Sequence, residues 1–368
     1  VVCLDQRTTL GDVESETHAP LPGEPPEPRF ARLRRSFARA QSLASRFEPL
    51  LSRVGPWVSL LFSAVGAAYM DRSEEQGRLI VGSAAAGFVA LVVLGIAHKP
   101  RAVEQPASRP RVQVAMRFAS AASSQSLVQT CLFFSGPFYL QASAFTPAQC
   151  VFLAVFALAA LISAWDPWCV RALLHPLLGP ALAAFASFVA WNAALPMLGM
   201  PHRRAMWLAA ALVSALIPFV YLLRERDHPR RFWLGMSGAL LPLFLAAFGV
   251  RALPAAPLKV VDIGIGTGIS ERTLVGRAAR LEQSPGKLWC YSAIFAPRGL
   301  KDDLVHAWSL DGRELTHIAL AVRGGRKLGF RTWSYLPVPR GARGEYQCQV
   351  RTQFGQTLGV GAVRIGRH

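Results

Sequence analysis

Carboxylates are the scarce side chains of this 368-residue chain: 22 Asp and Glu stand against 40 Lys and Arg, a formal net charge of +18. Five long apolar segments between Leu127 and Val250 hold no Asp, Glu, Lys, Arg or His. That absence argues against ion-coupled transport, which places carboxylates or other ionisable groups inside the spans. Nothing has metal-ligand spacing, because His306 and His317 stand alone on separate expected strands. No serine or cysteine nucleophile lies in a recognisable motif with a base, so neither a catalytic residue nor a cofactor is expected. A signal peptide is not expected either, since about fifty polar residues precede the first apolar run. The positive charge is nearly all arginine, and its spread around the tail argues against nucleic acid.

What the chain has in abundance is apolar residues, 52% of the total, concentrated in its middle. Residues 1–28 are acidic and proline-rich and are expected to be disordered. Residues 29–53 have a helical period: Phe30, Leu33, Phe37, Ala40, Ala44, Phe47 and Leu51 share one face, and Arg32, Arg35, Arg39, Arg46 and Arg53 lie mostly off it. This is a basic amphipathic helix on an anionic membrane surface or a solvated helix whose arginines set topology.

Residues 54–250 read as a membrane all-α helical bundle of about seven transmembrane helices. The expected spans are Val54–Met70, Leu79–Ala97, Leu127–Ala144, Ala148–Trp165, Leu177–Gly199, Ala205–Leu223 and Phe232–Val250. Alternate loops are basic: the N-terminal flank, His98–Ser124, and Arg224 to Arg231. That pattern puts the N-terminus inside and, with an odd number of spans, the tail outside. Arg203 and Arg204 break it. The expected location is a membrane, with the lipid bilayer as partner and the C-terminal domain extracytoplasmic.

Residues 258–368 change period from helix to strand. Alternation and turn signals at Asp311-Gly312, Gly324-Gly325 and Gly355 give seven strands. They are Lys259–Ile263, Lys287–Phe295, Leu304–Leu310, Glu314–Val322, Leu328–Tyr335, Glu345–Thr352 and Thr357–Ile365, at the spacing of a small all-β antiparallel sandwich. Val260 to Gly268 looks like the glycine-rich first motif of S-adenosylmethionine-dependent methyltransferases. The residues after it read as consecutive strands, not as the strand–helix units that chemistry needs, so it is taken as a glycine-rich strand. Arg298, Lys301, Arg323, Arg326, Lys327, Arg331 and Trp333 form a basic, aromatic cluster. It is either a binding surface for anionic glycans, lipid headgroups or peptide carboxylates, or a solvated edge that resists aggregation.

Cys131, Cys150 and Cys169 lie in or beside spans and read as small packing residues. Cys290 and Cys348 fall on tail strands, as a disulfide or as two unpaired buried thiols. The order Cys290, Trp308, Tyr346, Cys348 resembles the immunoglobulin pattern, which implies a bridge between two sheets with a tryptophan against it.

Glu271 to Gly276, Leu288 to Ser292, His306-Ala307-Trp308, Gly324-Gly325-Arg326, Phe330 to Ser334 and Gly344 to Val350 together resemble a bacterial domain-of-unknown-function family, number 2914. The likeness covers about the last hundred residues, and the spans before it resemble an uncharacterised multi-span region that accompanies this domain in proteobacteria. Tyr346 stands where the family more often has tryptophan. The resemblance implies architecture and no activity, and it implies that the membrane is a bacterial inner membrane with the C-terminal domain periplasmic. The expectation is a non-enzymatic envelope protein whose immunoglobulin-like sandwich binds a protein, peptide or glycan. One rival is a small-molecule or lipid transporter or channel with a cavity lined by Gln129 and Asn192. The other is an enzyme with a site in the tail or at Asp166 and His175.

Overall fold

The protein is described by a computed structural model covering residues 110–224, 229–297, 300–325 and 329–366, together with Gly82. Its contacts divide the chain into Val1–Val54, outside the described residues, and Gly55–His368, to which everything below belongs. The expected disordered segment and amphipathic helix, and the first two expected spans, also lie outside the described residues.

Helix α1 (Pro110–Ala142) is followed by α2 (Pro147–Ala164), which starts at a Thr146 cap accepting from the Gln149 amide, with Pro147 in its first turn. A β-branched hydroxyl at the cap and proline just inside it is a strong start signal. Then come α3 (Asp166–Leu174), α4 (Leu178–Met197), α5 (His202–Arg224), α6 (Pro229–Ala239) and α7 (Leu241–Phe248). Helix α4 packs against α1, α5 and α6, and every residue from Ala184 to Ala190 is buried. The centre of the bundle is aromatic: Tyr139, Phe152, Phe156 and Phe185 meet with ring centroids 5.3 to 6.2 Å apart. Tilted contacts at that distance add to the stabilisation from burial alone.

The expectation of about seven membrane helices is corrected here. Among the described residues two helices, α2 and α4, are long and apolar enough to cross a membrane. A span needs about 20 residues, whereas α3, α6 and α7 have 9, 11 and 8. The expected span Phe232–Val250 is broken at Leu240, just before Pro242, into α6 and α7. Residues of the third expected span lie in α1, whose Gln125, Gln129 and Ser135 dilute its apolar character. A proline that cannot continue a helix, and polar residues on it, are invisible to a count of apolar residues alone.

The β portion of the expectation agrees with the structure. Strands β1 (Lys259–Gly266), β5 (Lys287–Phe295) and β8 (Phe330–Pro337) make one sheet, in the order β1-β5-β8. The second sheet runs β4-β10-β9-β6-β7, with β4 (Arg280–Leu281), β6 (Lys301–Leu310), β7 (Arg313–Arg323), β9 (Gly344–Thr352) and β10 (Thr357–Ile365). Strands β2 (Gly268–Ser270) and β3 (Thr273–Val275) form a hairpin of their own. Each of the seven expected strands falls on an observed one; the short β2, β3 and β4 carry too few residues to show a period. Within the two larger sheets the ladders are antiparallel except β4–β10, which is parallel. Inward side chains of both sheets share two cores, one around Ile294, Leu304, Leu320 and Val350, the other around Cys290, Trp308, Tyr346 and Cys348.

The sheets meet the helices at the β9–β10 turn. Gln149 Nε2 donates to Thr357 O at 2.7 Å, and Gln356 Nε2 donates to Leu253 O at 3.0 Å. The Arg203 guanidinium lies 4.8 Å from the Phe354 ring centroid. Arg203 therefore sits against the strand region, which accounts for one of the two arginines that break the loop-charge pattern.

Candidate functional site

A strand points alternate residues to opposite faces, so β5 and β8 each sort their side chains by parity. On β5, Leu288, Cys290, Ser292 and Ile294 face the core, leaving Lys287, Trp289, Tyr291 and Ala293 on the outer face. On β8, Ser334 and Leu336 face inward, leaving Arg331, Trp333 and Tyr335 outside. The register then sets Trp289 opposite Tyr335, Tyr291 opposite Trp333, and Ala293 opposite Arg331. Four aromatic side chains thus form a two-by-two block on one face of the three-stranded sheet. The Trp289 and Tyr335 rings lie 5.2 Å apart, and Lys287 Nζ stands 5.4 Å from the Tyr335 ring centroid. Trp333 is 38% exposed and Tyr335 48%, whereas Tyr291 is buried.

The third strand of that sheet is roofed. Gly264 and Gly266 of β1 pair with Tyr291 and Trp289. A Cβ on Gly264 would lie 2.5 Å from the Arg277 guanidinium, and one on Gly266 would lie 2.5 Å from the Val275 carbonyl. The glycines therefore allow the β2–β3 hairpin and Arg277 to lie directly on the strand. Arg277 Nη2 bonds Asp262 Oδ1 at 2.6 Å. The run that resembles a methyltransferase loop leads into a hairpin and not into a helix.

Beneath the aromatic block lies a buried polar network. His306 on β6 stands between two serines of the facing sheet, with Ser292 Oγ 2.9 Å from Nε2 and Ser334 Oγ 2.7 Å from Nδ1. Trp308 Nε1 donates to the same Ser334 Oγ at 3.2 Å. Cys290 and Cys348 are joined by a disulfide between β5 and β9. These links tie β5 and β8 to the opposite sheet at the residues that alternate with Tyr291, Trp333 and Tyr335. Burial pushes the His306 imidazole down to about 4, so it is neutral near pH 7. The donor atoms of Cys290, His306 and Cys348 lie within 4.8 Å of one another. With both sulfurs spent on the bridge, no thiolate is available to a metal there.

The residues expected to form one basic cluster are divided. Arg331 and Trp333 belong to the aromatic face. Arg323 ends β7, the edge strand of the other sheet, and Lys301 is its register partner on β6. Arg298, Arg326 and Lys327 lie outside the described residues. Lys287, Trp289, Tyr291 and Tyr335 are not part of the expected cluster: their parity is readable within each segment, but the pairing of β5 with β8 is not. The outer face of the five-stranded sheet is unlike this one. There Gln347, Gln349 and Arg351 each donate to the residue two before, and Glu314 takes Arg351 and His317.

The residues named for the rival readings hold structural positions. Gln129 Nε2 donates to Ser163 O at 2.7 Å, and Asn192 Nδ2 donates to Tyr139 Oη at 2.9 Å. Each of those bonds joins two helices. His175 Nδ1 accepts from the Leu177 and Leu178 amides at the start of α4. Asp166 begins α3.

No match was found among curated proteins. The sequence profile of a protein of unknown function, DUF2914, matches residues 301–365, strands β6 to β10, which bears out the likeness read in the tail. Glu271 to Gly276, also read as part of that likeness, instead fall within a second match. That second profile, a family of unknown function, DUF5924, covers residues 31–284, which include all the described helices and strands β1 to β4. Since this is well over half of its length, the chain belongs to the DUF5924 family of unknown function.

Proposed function

We propose that this is a membrane protein that acts by binding rather than by turnover, and that the outer face of β1-β5-β8 is a carbohydrate-recognition surface. The observation that carries the reading is the block of Trp289, Tyr291, Trp333 and Tyr335 on a single sheet face. Aromatic rings supply large, stiff, apolar contact area at little entropic cost, and two of these remain open to solvent. The apolar faces of sugar rings suit such a surface. A peptide or protein partner would use the same face and is the competing outcome of the test.

Several features support placement in a membrane. Val151, Val155, Leu158 and Leu161 of α2 are all at least half exposed, an apolar stripe that water would not favour. Trp165, Trp168 and Trp233 are exposed near one end of the helices, and Trp207 near the other, as in an interfacial belt. Helix α5 runs from His202, beside the sheets, to Arg224, about 35 Å away at 1.5 Å per residue. Arg224, Arg226, Arg230 and Arg231 favour a cytoplasmic location for that end, which would leave the sheets in the periplasm of a bacterial inner membrane.

The test uses the full chain in detergent, a panel of neutral and acidic bacterial polysaccharides, and tryptophan fluorescence. Saturable spectral change is expected with at least one of them and is expected to vanish in Trp333→Ala. Binding that survives Trp333→Ala and Tyr335→Ala together, or capture of peptides with no polysaccharide bound, would overturn it.

A further inference from the structure

We infer that the ligand of this face is an acidic polysaccharide, one carrying carboxylates along its chain; the inference rests on the carbohydrate reading above and adds its charge. Three cations border the aromatic block. Arg331 lies on the same face of β8 as Trp333 and Tyr335, two and four residues before them. Lys287 lies at the other end of β5, over the Tyr335 ring. Arg277 lies on Gly264, the register partner of Tyr291. The acidic residue beside them, Asp262, is held by Arg277 at 2.6 Å. Arg331 and Lys287 therefore mark opposite ends of the block along the strand direction.

Their separation has a length. Arg331 and Tyr335 are four residues apart, about 13 Å along an extended strand, and Lys287 extends the row beyond Tyr335. A ligand long enough to touch both cations while lying on the rings is a chain, not a single sugar. Guanidinium and ammonium groups at its ends favour carboxylates, with the arginine able to bond in bidentate fashion. The far side of the sandwich shows the contrast: there Glu314 and the glutamines satisfy the arginine locally, leaving no row of rings for a sugar to lie on. Among the described strand residues, rings for the sugar faces and cations for the acid groups stand together on the outer face of the three-stranded sheet and not on that of the five-stranded sheet.

The experiment compares each acidic chain with its own carboxyl-reduced form, which has the same linkages and no charge. Oligogalacturonate, alginate oligomers and hyaluronan oligomers are titrated against the full chain in detergent, with tryptophan fluorescence as the readout. At least one acidic oligomer is expected to bind, its reduced form at least tenfold more weakly, with affinity falling as salt is raised. Arg331→Gln with Lys287→Gln is expected to weaken the acidic oligomer about tenfold and to leave the reduced form unchanged. Equal binding of acidic and reduced forms, both lost in Trp333→Ala, overturns the charge inference and leaves the carbohydrate reading standing. No binding of either form overturns both. A soluble short-chain phosphatidylglycerol that binds in place of the oligomers would make the face a lipid-headgroup surface and also overturn the inference. Circular dichroism of each variant checks that the sheets remain folded.

Discussion

The helices and the sheets treat buried polar groups in opposite ways. Within the sandwich core, Ser292, His306, Ser334 and the Trp308 indole close on one another, and Thr352 and Gln356 do the same nearer the helices. Among the described residues, Gln141 Oε1, Ser187 Oγ, Trp191 Nε1 and Asn192 Oδ1, all in helices, are buried side-chain polar atoms without a partner. An unpaired buried polar atom costs about 1 to 3 kcal/mol in a water-soluble protein. In a bundle surrounded by lipid the cost is smaller, because the separated helices are also out of water. On the membrane placement proposed above, the contrast separates a core assembled against water from one assembled against hydrocarbon.

The largest effect belongs to the covalent link. Cys290 and Cys348 are 58 residues apart, and closing a loop of that size stabilises by about 4 kcal/mol. Cys290→Ala with Cys348→Ala should lower the denaturant midpoint of the sheets by that order and leave the helical circular dichroism in place. A change under about 1 kcal/mol would mean that the network around His306 holds the sheets together unaided.

Next comes acid. His306 is lowered from 6.5 to about 4 by burial, so between those values the unfolded chain holds a proton that the folded chain refuses. Stability from the neutral histidine is complete above pH 6.5 and falls as pH drops toward 4, by roughly 3 kcal/mol in all. Denaturation curves across that window should show the loss, and His306→Asn should flatten it relative to the native chain. An unchanged slope in the variant would assign the acid sensitivity to other groups.

The smallest effect is expected in the helices. Asn192→Leu removes one hydrogen bond and one unpaired oxygen together, and the Tyr139 hydroxyl still donates to Val189 O at 3.1 Å. The cost should stay below about 1 kcal/mol, measured as thermal stability in detergent. A loss as large as that of the disulfide would erase the contrast between the two regions.

The strands were legible because alternation is local: Glu345 to Thr352 announces both its period and its buried face without reference to any partner. The helices were legible as apolar segments but not as spans. Phe232–Val250 has the composition of a crossing helix, yet Pro242 ends one helix and opens another. The same limit divided the basic cluster. Arg323 and Arg331 are near in sequence, but β7 and β8, on which they lie, belong to different sheets. Conversely Trp289 and Tyr335, 46 residues apart, are cross-strand neighbours.

By itself the sequence determined where helix gives way to strand, the parity of the seven longer strands, and the likeness of its tail to a known family, because periodicity and composition are written within a few residues of one another. Only the tertiary structure decided which helices are long enough to cross a bilayer, that the glycine run lies under a hairpin, and that two aromatic pairs from distant strands share one face. Those depend on register and on helix breaks, which are fixed by contacts between segments far apart in the chain.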